Sequence, residues 1–313
     1  MITWSENYTM GIEEFDFEHK KIFEIAGRIL DRVRSRGDEA FMRLFIIQEG
    51  LNYLNSYFER HAKKEEAYMR KIGYEGYALH KMQHDDFTRV QLAKYQKIAS
   101  SGQCSKKDVL DFVGSGIGWL LEHITTADMA IVGKGVLTDP PVTSISQAML
   151  EEKLNLLFTA TLNLESNVKI VSTNYRGEPF GKAVYQKIVY ERDGREINVI
   201  SGIEQSFLMD VAKTLYGDSV ENELDLVLST VEMFGARFWI SLSRELIGTG
   251  SKINIKENNF LVGSLLSEEI RRLNPTTSIL FTSDKGKFFL TCDSDQLFLP
   301  DDDPSHVQVL NEQ

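Results

Sequence analysis

The chain has 313 residues, of which 42% are hydrophobic and 26% are charged, and its net charge at pH 7 is −11. This length predicts two domains, and the composition is that of a globular protein rather than a disordered one. The negative charge argues against general nucleic-acid binding, because phosphates would be repelled. The sequence contains no run of about 18 uncharged apolar residues, so we expect no membrane span.

The start of the chain and its cysteines indicate a cellular compartment. Residues 1–6 lack the basic start and apolar core of a signal peptide. The two cysteines, Cys104 and Cys292, are far apart in the sequence and suggest no disulfide framework. We therefore expect a cytoplasmic protein.

Apolar residues recur at helical spacing in the first 131 residues. They predict four helices joined by short loops, at 18–36, 38–71, 77–100 and 105–131. Four such amphipathic helices form an up-and-down bundle.

The fourth predicted helix contains three glycines, Gly114, Gly116 and Gly118. Glycine lowers helix propensity. We expect these positions to permit close packing of a neighbouring segment.

The composition changes after the fourth helix, where Asp139-Pro140-Pro141 lies among small polar residues. Two prolines stop a helix and stiffen the chain, so we expect an interdomain linker at 136–147. We divide the chain into a bundle domain at 1–135, the linker, a second domain at 148–298 and an acidic tail at 299–313 that we expect to be disordered.

The second domain combines helical and strand patterns and is expected to be α+β with a mainly antiparallel sheet. Two short turns, Arg192-Asp193-Gly194 and Asp284-Lys285-Gly286, favour hairpins. The predicted helices lie at 146–165, 204–216 and 221–246. The predicted strands lie at 168–172, 183–190, 196–203, 252–256, 278–282 and 288–292.

Five of the six histidines lie on the predicted bundle helices, and two of them have a carboxylate at a short offset. Residues four apart on a helix share a face, so His61 with Glu65 and His80 with His84 can each direct two donor groups to one point. Any one of these pairs is more often an ordinary surface feature, but the joint pattern indicates a metal site. The candidate ligands are His19, His61, Glu65, His80, His84, His123 and Asp128.

Imidazole and carboxylate ligands suit iron, manganese or zinc. Seven protein ligands are too many for one ion with an open position, and they fit two ions bridged by two carboxylates. A predominance of neutral histidine ligands favours reversible oxygen binding over oxygen activation. His123 and Asp128 are five residues apart, or about 140° around an ideal helix, so both reach the metals only if the helix is distorted or Asp128 reaches across.

Residues 1–135 resemble the bacterial hemerythrins. The similarity includes Trp4, Gly11-Ile12, the segment from Phe15 to Lys20 and all seven candidate ligands. The resemblance implies a di-iron centre that binds O2. His80, His84 and His123 would hold one iron, and His19 and His61 the other, which keeps the open position. Glu65 and Asp128 would bridge the irons, together with an oxo or hydroxo group.

Apolar residues one turn from the ligands are candidates for the wall of an O2 pocket. Trp119 precedes His123 by four residues, Phe58 precedes His61, and Ile22 follows His19. Plain core packing is an equally good interpretation of these residues.

Residues 146–295 resemble the CheX-type chemotaxis phosphatases in the order of their elements. Those enzymes hydrolyse the aspartyl phosphate of a response regulator, using a Glu and, three residues later, an Asn on a long helix. Here Glu232 matches the first position and Gly235 occupies the second. Glycine has no side chain to orient water, so the resemblance does not extend to this part of the active site.

The sequence favours a sensor in which a di-iron domain responds to O2, redox state or NO. The second domain would convey that state to a response regulator or another chemotaxis protein, or form a homodimer through sheet edges. The alternatives are an oxygen-gated response-regulator phosphatase, a di-iron peroxidase and a simple oxygen store.

Overall fold

The computed structural model describes residues 4–134, 145–247 and 252–294. The chain forms two compact units, Met1–Lys134 with Leu215–Phe234, and Gly135–Thr214 with Gly235–Gln313. Most of the predicted linker and the predicted acidic tail lie outside the described residues. None of the described helices is long and apolar enough to cross a membrane.

The bundle of the first unit contains the four predicted helical rods, three of which pass through a π turn. The first rod is the single helix α1 (Glu13–Arg36). The second is α2 (Ala40–Tyr53), a π turn (Leu54–Phe58) and α3 (Glu59–Ile72); the third is α4 (Tyr77–Asp86), a π turn (Phe87–Gln91) and α5 (Leu92–Ser101); the fourth is α6 (Lys106–His123), a π turn (Ile124–Asp128) and α7 (Met129–Ile131).

Local sequence signals set the ends of these rods. Gly73 and Gly102 adopt φ angles of 67° and 70°, the left-handed conformation that ends a helix. Ser105 caps α6 in a capping box with Asp108. The first helix begins five residues earlier than predicted, because the Asp16 carboxylate accepts hydrogen bonds from the N–H groups of Met10 and Gly11 and fixes the entering loop.

The second half of the chain has the predicted α+β order. Its helices are α8 (Gln147–Leu162), α9 (Gln205–Tyr216), α10 (Leu224–Ile247) and α11 (Leu266–Leu273). Its strands are β1 (Lys169–Ser172), β2 (Ala183–Arg192), β3 (Arg195–Glu204), β4 (Ile253–Leu261), β5 (Thr277–Thr282) and β6 (Lys287–Cys292). The division between the two units falls within α10, between Phe234 and Gly235.

The six strands form one antiparallel sheet in the order β1-β5-β6-β3-β2-β4, which confirms the predicted class. The β2–β3 hairpin turns at Asp193-Gly194, whose φ angles of 51° and 79° are those of a type I′ turn. Tyr190 pairs with Ile197 across this hairpin, and both side chains are buried.

The sequence prediction missed α11 and gave β4 too short. Helix α11 has eight residues and buries only Leu266 and Ile270, which join a cluster with Tyr175, Ile200 and Phe289. Two apolar positions four residues apart are too weak a pattern to separate a short helix from a loop. Strand β4 continues through polar Asn258 and Asn259, because its backbone pairs with β2 whatever its side chains.

Tyr190 gives a test of the packing between the sheet and α10 in the second unit. Its ring is fully buried, and its hydroxyl donates a 2.6 Å hydrogen bond to the backbone oxygen of Ala236. Tyr190→Phe should lower the free energy of unfolding by about 1–3 kcal/mol, because a buried carbonyl loses its donor. Chemical denaturation measures this loss. Tyr185→Phe, at a half-buried position of the same strand, is the control, and equal losses in the two variants would contradict the assignment.

Candidate metal centre

The five bundle histidines meet inside the first unit with their Nε2 atoms facing one another. The Nε2 atoms of His19 and His61 are 3.0 Å apart. Those of His80 and His84 are 3.2 Å apart, and those of His84 and His123 are 3.0 Å apart. All five rings are buried. The structure thus brings the histidines together in two groups, one of two and one of three.

The carboxylate of Asp128 lies between these two groups. Its Oδ2 is 3.3 Å from His19 Nε2. Its Oδ1 is 3.3 Å from His80 Nε2 and 3.1 Å from His123 Nε2. Each oxygen therefore faces a different histidine group, as a bridging carboxylate would.

The carboxylate of Glu65 makes a second connection between the groups. Its Oε1 is 3.6 Å from His19 Nε2. Its Oε2 is 3.5 Å from the Nε2 atoms of both His61 and His84 and 3.8 Å from that of His80. The residues can be arranged as two sets of metal donors, Glu65 with His80, His84, His123 and Asp128, and Glu65 with His19 and His61.

A π turn brings His123 and Asp128 to the same point. The turn Ile124–Asp128 follows α6 directly, and the N–H of Met129 donates to the backbone oxygen of Ile124, five residues earlier. An i→i+5 turn places residues five apart on one face, which an α-helix does not. The helix is therefore distorted as the spacing of these two residues required.

The site fits a metal better than it fits hydrogen bonds alone. Neither carboxylate oxygen of Glu65 or of Asp128 has a hydrogen-bond partner among the described residues, although both side chains are fully buried. Buried carboxylates without partners are strongly destabilising. Protons shared between ring nitrogens can satisfy some of the close contacts, whereas cations placed among these atoms satisfy all of them. The cluster is compatible with metal binding.

The pKa values of two histidines in the cluster are shifted in opposite directions. Burial lowers the pKa of His123 to about 4, although Asp128 acts to raise it. Burial also acts to lower the pKa of His84, but Glu65 and Glu66 outweigh it and raise that pKa to about 9. The pKa of Glu65 is well below its usual range, because the surrounding histidines outweigh the effect of burial. A metal binds deprotonated donors, so its binding releases protons from such a site.

Three polar residues that the sequence did not single out hold the histidine rings from outside. His61 Nδ1 donates to Glu18 Oε2 over 2.8 Å, and His123 Nδ1 donates to Gln83 Oε1 over the same distance. His84 Nδ1 lies 3.6 Å from Glu66 Oε1. These contacts orient each ring so that Nε2 faces the centre. Each of the three directly neighbours a candidate ligand in sequence, but neighbours on a helix point in different directions, so only the fold reveals their partners.

The three predicted pocket residues are all buried, and two of them, Trp119 and Phe58, contact histidine rings. Trp119 stacks on His123 with ring centroids 4.3 Å apart, and Phe58 packs edge-on against His84 at 5.6 Å. Ile22 lines an apolar cavity of about 40 Å³.

Glu232 and Gly235 lie on α10 and are not among the metal donors of the described residues. Burial raises the pKa of the half-buried Glu232, and the nearby carboxylate of Asp111 adds to this effect. A Cβ atom at Gly235 would lie 2.6 Å from Oε1 of the buried Gln186. A side chain at Gly235 would therefore have to displace this amide.

Fold and site together define a four-helix bundle with a buried histidine–carboxylate cation site, and comparisons with known proteins agree. Residues 10–134 match the family model described as Hemerythrin HHE cation binding domain. The bacteriohemerythrin of Clostridium acetobutylicum is 32% identical over 131 residues, which is 41% of this chain and 96% of that protein. The bacteriohemerythrin of Methylococcus capsulatus is 29% identical over 130 residues, or 41% of this chain and 92% of that protein. The chain belongs to the hemerythrin family.

Solved structures of chemotaxis proteins show a distant similarity. The CheX–CheY–BeF3–Mg complex from Borrelia burgdorferi has a TM-score of 0.32 at 13% identity, covering 44% of this chain and 88% of the other. A chemotactic CheC-like protein from Shewanella oneidensis has a TM-score of 0.29 at 16% identity, with the same coverage of both chains.

Glu18 tests the outer contacts of the cluster. Glu18→Gln should weaken Fe²⁺ binding by about 10- to 100-fold, because the amide accepts a weaker hydrogen bond from His61 Nδ1. Competition with a chelator measures the affinity. Glu14→Gln is a matched control, since Lys64 lies 2.6 Å from both Glu14 and Glu18 but Glu14 is at the surface. If both variants bound Fe²⁺ equally well, the orienting role of Glu18 would be wrong.

Proposed function

We propose that the protein is a sensor whose first unit holds two iron ions and responds to O2, NO or redox state. The observation that carries this proposal is the position of the two buried carboxylates. Glu65 and Asp128 each face both histidine groups, and their oxygens have no hydrogen-bond partner among the described residues. One cation would leave part of this donor set unsatisfied, whereas two satisfy it.

In the proposed centre, His80, His84 and His123 would hold one iron, His19 and His61 would hold the other, and Glu65 and Asp128 would serve both. The second ion would have one histidine fewer, which would leave room for an exogenous ligand. When bound, the iron pair supplies reversible binding of O2 and one-electron redox chemistry. The protein contributes the apolar wall of Trp119, Phe58 and Ile22, which excludes water and anions.

The metal content tests the proposal directly. Protein purified after growth with iron should contain about two irons per chain, as the two donor sets require. Air-exposed protein should show charge-transfer bands that anaerobic, reduced protein lacks. Elemental analysis and optical spectra give the answer. One zinc or manganese per chain with a featureless spectrum would rule out the iron pair.

His61→Ala should remove at least one iron per chain or prevent assembly, because the ion on that side loses one of its two histidines. The matched control is His306→Ala, which removes the sixth histidine of the chain and should leave the iron content unchanged. His306 lies outside the described residues. Equal iron contents in the two variants would contradict the ligand assignment.

We propose that the α+β region relays the state of the centre to a chemotaxis or response-regulator partner rather than acting as a phosphatase. The support is Gly235, which occupies the position that the resemblance to the CheX-type enzymes assigns to the water-orienting Asn. The contact of its Cβ position with Gln186 leaves no room for a longer side chain without repacking. A positioned amide lowers the activation barrier of such a hydrolysis by about 3–4 kcal/mol, by analogy with other preorganised donors.

The relay proposal predicts no acceleration of dephosphorylation. The assay follows a phosphorylated receiver domain with full-length protein, both anaerobic and oxygenated, and compares the decay with that of the receiver alone. Glu232→Ala is the control variant. Faster decay in either state, lost in Glu232→Ala, would replace the relay by an oxygen-gated phosphatase.

Self-association belongs to the same proposal. Strands β1 and β4 are the two edges of the six-stranded sheet, and β4 exposes Phe260 with Val262 directly after it. An exposed edge strand can pair with a second copy. Analytical ultracentrifugation would show a dimer, and a strictly monomeric protein would exclude it.

A further inference from the structure

Two glycines of α6 form a flat surface on which the first half of α10 lies, and both belong to the first unit. A Cβ atom at Gly114 would lie 2.8 Å from the backbone oxygen of Leu226, and one at Gly118 would lie 2.7 Å from that of Thr230. Any larger residue at either position would therefore force the backbones of α6 and α10 apart. The expectation that the three glycines of this helix permit close packing is confirmed at Gly114 and Gly118 but is wrong at Gly116. We call Leu224–Phe234 the α10 segment, and the surface around Gly114 and Gly118 the α6 seat.

Gly116 lies between these two glycines but does not belong to the seat. A Cβ atom added there would have no heavy atom within 4 Å. Positions 114 and 118 are four residues apart and share a face of α6, whereas 116 lies on another face. The chain thus supplies a matched control within the same two turns of one helix.

Charged groups also hold the α10 segment in place. The Arg34 guanidinium on α1 makes two 2.7 Å hydrogen bonds to the carboxylate of Glu223, the residue before the segment. Such a forked pair is stronger than a single hydrogen bond and fixes orientation. The pair is partly buried, which limits screening by solvent.

A polar cluster lies at the other side of the segment. Burial acts to raise the pKa of the Asp111 carboxyl on α6, but Lys94, Ser229 and Tyr95 outweigh it and lower the pKa. Ser229 belongs to the α10 segment. Lys94 forms an ion pair with Asp111, and the Tyr95 hydroxyl donates to it over 3.0 Å. Ser229 of the docked segment therefore lies near the buried charge of Asp111, which is satisfied by Lys94 and Tyr95.

The helices that hold the segment also carry metal donors. On α6, His123 follows Gly118 by five residues, a rise of about 7.5 Å. On α1, His19 and Arg34 lie on one uninterrupted helix. Ligation by His19 and His123 would tie α1 and α6 to one another and fix the spacing of the two helices that contact the segment.

We propose that docking of the α10 segment on the α6 seat is thermodynamically coupled to iron binding, so that the segment reports the state of the centre. This inference rests on the proposed iron centre. Iron binding favours the docked segment, and loss of iron favours its release. Release would make the half-buried Glu232 and the buried Phe234 more accessible to a partner than they are in the docked segment.

Coupling between two sites is reciprocal. If iron strengthens docking by some factor, undocking must weaken iron binding by the same factor. Typical coupling factors lie between about 5- and 150-fold.

Hydrogen exchange of the full chain, followed by mass spectrometry, measures docking. Amides of 224–234 should be about 5- to 150-fold more protected in iron-loaded than in apo protein. Amides of α2, which carries no candidate ligand, should change less and thereby separate release of the segment from unfolding of the bundle. The iron content of the same samples is measured in parallel.

Gly118→Ala should lower both the protection of the segment and the affinity for Fe²⁺, and Gly116→Ala should change neither. Both substitutions raise helix propensity equally, so the difference between them isolates the seat. Glu223→Gln is a milder second variant, outside the set of metal donors, that decides the question if Gly118→Ala does not fold. Its control is Glu39→Gln, which removes a comparable ion pair with Arg36 at the surface.

Bound iron with unchanged protection of the segment would overturn the coupling alone. The coupling would also be overturned if Gly118→Ala and Glu223→Gln bound Fe²⁺ as tightly as their controls. Protein that binds no iron would overturn the proposed centre and the coupling together. Parallel losses of protection and iron affinity in Gly118→Ala and Glu223→Gln, absent in both controls, would establish the coupling.

Discussion

Two carboxylates inside an apolar bundle constrain the rest of the first unit. Glu65 and Asp128 are fully buried, and a buried charge is tolerated only when positive charge or hydrogen-bond donors surround it. Five imidazole rings surround the two carboxylates. Each ring directs one nitrogen at them, and this nitrogen donates or accepts a hydrogen bond according to its protonation, so it is not a fixed positive charge. Cations resolve the conflict, because carboxylates and ring nitrogens can then face the same point. This polar centre therefore requires that the helices place the histidine nitrogens and the carboxylate oxygens around the same point.

The helices meet that requirement by local distortion. An α-helix aims residues three or four apart at one point, and this suffices for His61 with Glu65 and for His80 with His84. It does not suffice for His123 and Asp128, and the fourth rod inserts a π turn between them. Two other rods also contain π turns. One ends directly before α3, the helix that carries His61, and the other begins directly after α4, the helix that carries His84. The distortions thus lie next to the donors, as π turns at functional sites commonly do.

Helix α6 serves two purposes with different stretches of its sequence. Its end carries the candidate ligand His123, and its middle has no side chains at Gly114 and Gly118, so another helix can lie against its backbone. Three glycines weaken a helix in isolation. Here packing on both sides compensates, since nearly every residue of α6 is buried. The same helix therefore carries both a candidate metal ligand and the surface that contacts the α10 segment.

The sequence by itself determined the four rods, the family, and the order of helices and strands in the second half apart from α11. These follow from periodicity, turn residues and ligand spacing, which are local properties of the chain. It also indicated seven candidate ligands, because paired donors at helical offsets are visible without a fold. It did not determine α11, whose two buried residues make too short a pattern, nor the early start of α1. Only the tertiary structure decided that Glu18 and Gln83 contact the rings of the candidate ligands His61 and His123, and that residues 215–234 pack with the first unit. Those contacts join residues from about 40 to more than 100 positions apart, and no local pattern encodes a pairing of that range.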